Sequence, residues 1–227
     1  MLDVAAREVR GTIDAGPGEV STAWIASSRR VATLVLAHGA GVGMDHPFLV
    51  GFCRAMAEHR VATLRFNFPY MERGRRSPDP EPVLRAAWLA AFAEGHRRSA
   101  GVPVFAGGKS LGGRVASMVV ADGMQAAGLV FLGYPLHPPG KPERIRDEHL
   151  CRVEVPMLFL QGTVDPFADP AHLGPVLARL GDRAVHVGIE GGDHSFRVRG
   201  QHMGDLDIGA ELAEHAASFI HRVAGVD

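Results

Sequence analysis

FAGGKSLGGRVAS, residues 105–117, sets Ser110 between two glycine pairs, Gly107-Gly108 and Gly112-Gly113. Glycine loses more conformational freedom on folding than any other residue. Four of them around one serine imply a turn, or a close approach of backbones, that a side chain would forbid. Upstream, VPVFAGG (102–108) is a short apolar run of strand type. Downstream, LGGRVASMVVAD (111–122) reads as a helix with small residues on one face. The stretch is therefore a strand, a sharp turn carrying Ser110, and a helix.

The same alternation extends in both directions. REVRGTIDAGPGEVSTAWIA reads as two short strands around a Gly-Pro-Gly turn. VATLVLAHG (31–39) is a continuous apolar run, as expected of a strand buried on both faces. Helical spacing follows at 47–59, a strand at 61–68 and a helix at 81–96. Beyond Ser110 come strands at 127–135, 155–162 and 184–189, and helices at 170–181 and 205–223. This order predicts an α/β fold: a mostly parallel central sheet with helices on both faces and right-handed crossovers. PLHPPGKPERIRDEHLCR (135–152) breaks the alternation. Its prolines predict an ordered connection, too short to form a separate cap domain.

The chain has 227 residues, 46% hydrophobic and 22% charged, and residues 1–227 are expected to form one domain. A net charge of −1 argues against a nucleic-acid or anionic-membrane partner. The one dense basic cluster, RGRR at 73–76, reads as a solvated loop. No apolar run reaches the roughly 18 residues of a membrane span. The N-terminal MLDVAAREVRGT lacks the apolar segment of a secretory leader. Cys53 and Cys151 are the only cysteines and show no metal or disulfide spacing, so a reducing cytoplasm is expected.

Ser110 sits in Gly108-Lys109-Ser110-Leu111-Gly112, a G-x-S-x-G pattern between strand and helix. There a serine stands clear of the backbone, and the free N–H groups of the following helix face any charge that develops beside it. The earlier glycine of a phosphate-binding loop is missing ahead of Gly108-Lys109-Ser110, and G-x-G-x-x-G is absent. A serine hydroxyl is a weak nucleophile and needs a base held by a third group. In the order Ser, acid, His, Asp165 follows one strand in TVDPF and His194 follows the next in GDHSF. Asp169 reads instead as a helix cap before Pro170, and Asp193 as a residue that orders its loop. His186 falls within a strand, and His202 beyond a loop. Asp193 and His194 lack the further ligands of a metal site, so no metal is expected. An oxyanion needs N–H donors. Leu111 supplies one, and HGAG (38–41) the other, with Ala40 the first choice and Gly41 the second. His38 reads as a structural hydrogen-bonder. Loop position puts Phe48, Tyr70, Met71, Leu136 and Phe167 near the pocket.

HGAGVGMDHPF (38–48), GGKSLGGRVAS (107–117), GYPLHPPGKPE (133–143), LQGTVDPF (160–167) and GDHSF (192–196) together resemble the α/β-hydrolase superfamily. The likeness runs over residues 8–223. It is to a small cap-less, dienelactone-hydrolase-like subgroup of predicted hydrolases, whose eukaryotic relatives include a regulatory subunit of a histone acetyltransferase complex. The resemblance implies a Ser110–His194–Asp165 triad, an oxyanion hole of Ala40 or Gly41 with Leu111, and no cofactor. Dienelactone hydrolases use cysteine where this chain has Ser110, so their substrate does not carry over. The implied activity is a serine esterase or thioesterase acting on a small-molecule acyl substrate, in a monomer or homodimer. A non-catalytic interaction module on the same fold is the alternative. Lys109, His137 and Lys141 stand out as polar residues near the site; either the last two face a polar or acidic substrate group, or the prolines of their loop simply stiffen a cover. Tyr70 and Phe167 are expected as apolar walls.

Overall fold

The computed structural model describes residues 7–16 and 18–226. The first residues of the stretch read for a leader, and Pro17 of the Gly-Pro-Gly turn, lie outside the described residues. The elements run β1 (Glu8–Asp14), β2 (Glu19–Ile25), β3 (Ala32–Ala37), α1 (Pro47–Glu58), β4 (Val61–Phe66), α2 (Pro69–Glu72) and α3 (Glu81–Arg98). They continue with β5 (Val104–Lys109), α4 (Leu111–Ala121), β6 (Leu129–Leu132), β7 (Met157–Gly162), α5 (Pro170–Leu180), β8 (Ala184–Ile189) and α6 (Asp205–Ala224). The described strands form one sheet in the order β1-β2-β4-β3-β5-β6-β7-β8. β2 is antiparallel to both β1 and β4, and β3 to β8 are mutually parallel. This is the mostly parallel α/β architecture that the alternating pattern predicts.

The apolar runs become the central strands because both of their faces are covered. Every residue of β3, β4, β6 and β7 is buried. On one face α1 and α6 enclose Phe48, Phe52, Phe105, Leu212 and Phe219. On the other, α3, α4 and α5 cover Phe66, Trp88, Val115, Phe131 and Leu173. Each such side chain contributes about 1.5–3 kcal/mol of burial. Trp88 also donates its indole N–H to the Gly112 carbonyl (3.1 Å), which ties α3 to the first turn of α4.

Two of the strands that fall short of their apolar runs end at a turn or a helix start. The run at 127–135 pairs only over Leu129–Leu132, because Gly133 turns to φ 72°. The run at 61–68 stops at Phe66, because Pro69 starts the short α2. The 135–152 connection is held down by buried Leu136, Leu150 and Val153 and holds a short 3₁₀ turn at Glu148–Arg152. Among the described residues it carries no separate cap, and no helix is long and apolar enough to cross a membrane. The RGRR loop is more than a solvated turn, since Arg73 (2.7 Å) and Arg75 both pair with the buried Asp79.

Because β3 and β5–β8 run in one direction, the segments after each of them meet at one edge of the sheet. That edge brings together residues 38–46, Ser110, the 133–156 connection, Asp165 and His194.

Candidate active site

The four glycines around Ser110 are there because backbones touch. A Cβ on Gly112 would lie 2.3 Å from the Ala37 oxygen and 2.8 Å from the His38 oxygen. A Cβ on Gly108 (φ 158°) would lie 2.4 Å from the same Ala37 oxygen. The ends of β3, β5 and α4 thus pack with no side chain between them. The turn they hold puts Ser110 at φ 50°, ψ −115°, a conformation that costs a non-glycine residue about 1–3 kcal/mol.

Ser110 occupies the N-cap position of α4, yet its side chain makes no capping bond. The usual serine cap accepts a first-turn N–H. Here Ser110 Oγ lies 2.9 Å from His194 Nε2, and His194 Nδ1 lies 2.7 Å from Asp165 Oδ2. The Asp165 side chain is fully buried. Its Oδ1 accepts from Phe167 N (2.8 Å), and its Oδ2 also accepts from Gln161 Nε2 (2.5 Å). Gln161 in turn accepts from Tyr134 N (2.8 Å). An imidazole held between a hydroxyl and a buried carboxylate can take the hydroxyl proton and stabilise the charge it acquires. The Phe167 ring packs edge-on against His194, with ring centroids 4.6 Å apart.

The HGAG loop is anchored from below. His38 is fully buried and accepts from Phe68 N through Nε2 (3.0 Å), so Nδ1 carries the proton given to the Gly39 carbonyl (2.8 Å). Burial lowers its pKa to about 4, which keeps it neutral. Met44 N donates to Asn67 Oδ1 (2.8 Å), and the buried Arg65 donates to Met44 O (3.0 Å). Among the described residues no hydrogen bond takes up the N–H of Ala40 or Leu111, whereas the Gly41 N–H faces the Tyr70 hydroxyl. Ala40 and Leu111 line the same cavity as Ser110, and Gly41 does not.

That cavity holds about 720 Å³ and opens over Ser110 and His194. Phe48, Leu49 and Val42 line it, as do His137, Phe167, Arg114 and Arg146. Four expected residues, Tyr70, Met71, Leu136 and Lys141, lie outside the cavity lining, and Met71 packs against the core. Tyr70 is wholly buried, because α2 turns it inward, and its hydroxyl donates to the Gly39 carbonyl (3.4 Å). Lys141 is exposed and outside the lining. Leu136 also faces the core, whereas His137 keeps its place beside the cavity. Asp169 caps α5 through Ala171 N (2.7 Å), and Asp193 accepts from Ser195 N and Arg197 N, as the sequence suggests.

Lys109 lines the cavity, but its ammonium is engaged. It donates to the His194 carbonyl (2.6 Å) and lies over the Phe196 ring. It therefore steadies the His194 loop rather than standing free for a substrate. Burial lowers its pKa to about 8, against the pull of Asp165 and Asp193. Between about pH 8 and the unfolded value of 10.5 the unfolded chain holds more protons at this site. The Lys109 contribution to stability thus rises with pH across that window. Denaturant unfolding at pH 8 and pH 10 is expected to show wild type gaining on Lys109→Met as pH rises.

A second serine–histidine contact joins Ser117 Oγ to His149 Nε2 (2.8 Å), with the Tyr134 hydroxyl 3.2 Å from the same nitrogen. Ser117 is fully buried within α4 and also bonds the Arg114 carbonyl (2.7 Å). Among the described residues no carboxylate hydrogen-bonds His149, whose pKa burial and nearby arginines lower to about 4. The cluster fastens the 133–156 connection to α4 and lacks the exposure a nucleophile needs. Gln161, Asn67, Arg65, Arg114 and Arg146 are not singled out by the sequence: Gln161 and Arg114 lie inside motif stretches with no role attached, and the other three stand in none.

Solved structures share this fold. One is an alpha-beta serine hydrolase homologue from Coxiella burnetii (17% identity, TM-score 0.75, covering 96% of this chain and 99% of that one). A lid-less serine hydrolase from Xanthomonas campestris is similar (18%, 0.74, 94% and 95%). So is a dienelactone hydrolase from Anabaena variabilis (18%, 0.73, 96% and 99%). Residues 30–223 match the family model described as an alpha/beta hydrolase domain, and the chain belongs to that family.

Proposed function

We propose that the protein is a serine hydrolase that cleaves carboxyl esters or thioesters of small acyl substrates. The observation that carries this reading is the hydrogen-bonded chain from Ser110 Oγ through His194 to the buried Asp165, opening into a cavity. Ser110 attacks the acyl carbon as His194 takes its proton. Asp165 holds the imidazole in the tautomer with hydrogen on Nδ1. The Leu111 N–H and that of Ala40, or of Gly41, receive the oxyanion, beside the N-terminus of α4. His194 returns the proton to the leaving group, and water then releases the acyl group from Ser110. These groups supply the whole acyl-transfer cycle without a cofactor. The descriptions of the solved relatives as serine hydrolases agree with the reading. An interaction module would leave the strained Ser110 and its aligned partners without a use.

A panel of short 4-nitrophenyl esters and acyl thioesters tests it. Saturable turnover of at least one class above the buffer rate is expected. Absence of turnover of every member by folded protein contradicts the reading.

A further inference from the structure

The cavity beside Ser110 holds two cations with no counter-charge. Arg114 and Arg146 both line it, and among the described residues neither pairs with a carboxylate. The neighbouring ion pairs use Arg152, Arg179 and Arg197 instead. Arg114 Nε is buried and has no hydrogen-bond partner. Desolvation and the charges of Arg114 and Arg144 hold the Arg146 guanidinium below its ordinary range, consistent with a site short of negative charge. The other cavity cations are occupied, Lys109 by the His194 carbonyl and Arg197 by Asp205 (2.7 Å).

Both residues are well placed. Arg114 lies one helical turn beyond Ser110, and its N–H donates to the Ser110 carbonyl (3.0 Å). Long helical side chains lean toward the helix N-terminus, so this one leans toward Ser110. Arg146 is set by its N–H bond to the Leu136 carbonyl (2.7 Å), within the anchored connection. Across the cavity, Val42, Phe48 and Leu49 form an apolar wall. Arg114 is half-buried and leaving its buried Nε unpaired is costly, Arg146 is exposed at the cavity rim, and the planar fork of each matches the two oxygens of a carboxylate.

We infer that Arg114 and Arg146 bind a carboxylate of the substrate, a few bonds from the carbonyl that Ser110 attacks. The inference rests on Ser110 being the nucleophile. The substrate is then an ester or thioester with a free acid group. Hydrolysis breaks the acyl–oxygen or acyl–sulfur bond. Water gives its hydroxyl to the acyl carbon and a proton to the leaving alcohol or thiol.

Mono-4-nitrophenyl adipate and 4-nitrophenyl hexanoate have equal acyl chains and differ in the terminal carboxylate. Wild type is expected to favour the adipate by about tenfold or more in kcat/KM. Arg114→Gln and Arg146→Gln should each lower that ratio, and Arg146→Lys should keep part of it. Circular dichroism reports folding, and the surface position of Arg146 provides a variant that does not disturb the core. Turnover of both esters without preference, or variants that lose both in equal proportion, overturns the inference alone. Turnover of neither ester overturns the hydrolase reading and the inference with it.

Discussion

Ser110→Ala is expected to lower kcat/KM for an activated ester by roughly 10⁴- to 10⁶-fold while leaving the fold intact. The hydroxyl makes no capping bond, and its partner is the His194 ring at 2.9 Å. Removing it therefore deletes the proposed nucleophile without disturbing the first turn of α4. Alanine inherits the strain of φ 50°, whereas glycine relieves it. Ser110→Gly should be equally inactive and more stable than Ser110→Ala by about 1 kcal/mol. Parallel esterase assays and urea unfolding curves check both statements. A Ser110→Ala protein with wild-type turnover would place the chemistry elsewhere.

Asp165→Asn is the second large effect, an expected loss of about 10³- to 10⁴-fold. The substitution keeps size and shape, so the bond from Phe167 N can persist. It replaces an acceptor that receives both His194 Nδ1–H and Gln161 Nε2–H by a group with its own donors. With the Phe167 N–H bond kept, the amide NH₂ takes the place of Oδ2, where it opposes Gln161 Nε2–H and donates to His194 Nδ1. The imidazole is then held in the other tautomer, and Nε2 no longer waits unprotonated for the Ser110 proton. The measurement is kcat/KM across pH 6–9 alongside a melting curve. A folded variant with near wild-type rates would show that the carboxylate does not orient the imidazole.

Much of the architecture is readable in the residues because its signals are local and redundant. Continuous apolar runs such as ATLVLA at 32–37 have no stable place except a strand covered on both faces. The glycines at 107–108 and 112–113 announce a close approach, and the structure supplies the partners, the Ala37 and His38 carbonyls. Strand-end positions put Ser110, Asp165 and His194 on one edge before any distance is known. What periodicity does not convey is where a loop side chain points. Tyr70 looks like a pocket wall from its loop position. The four-residue α2 instead turns it under the Gly39 carbonyl, and a helix that short leaves no periodic trace. Lys109 precedes Ser110 and looks available, yet its target is the carbonyl of a residue 85 positions away. Arg114 and Arg146 lie in a helix and an irregular connection with no shared pattern. Only the folded chain shows that they face one cavity without a counter-charge.

If Ser110 is an activated nucleophile, a fluorophosphonate will label it covalently. Intact mass is measured on wild type, Ser110→Ala and Ser117→Ala. The account predicts a single adduct on wild type and Ser117→Ala, mapped to Ser110, and none on Ser110→Ala. An unlabelled, well-folded wild type, or an adduct that survives Ser110→Ala, would contradict it.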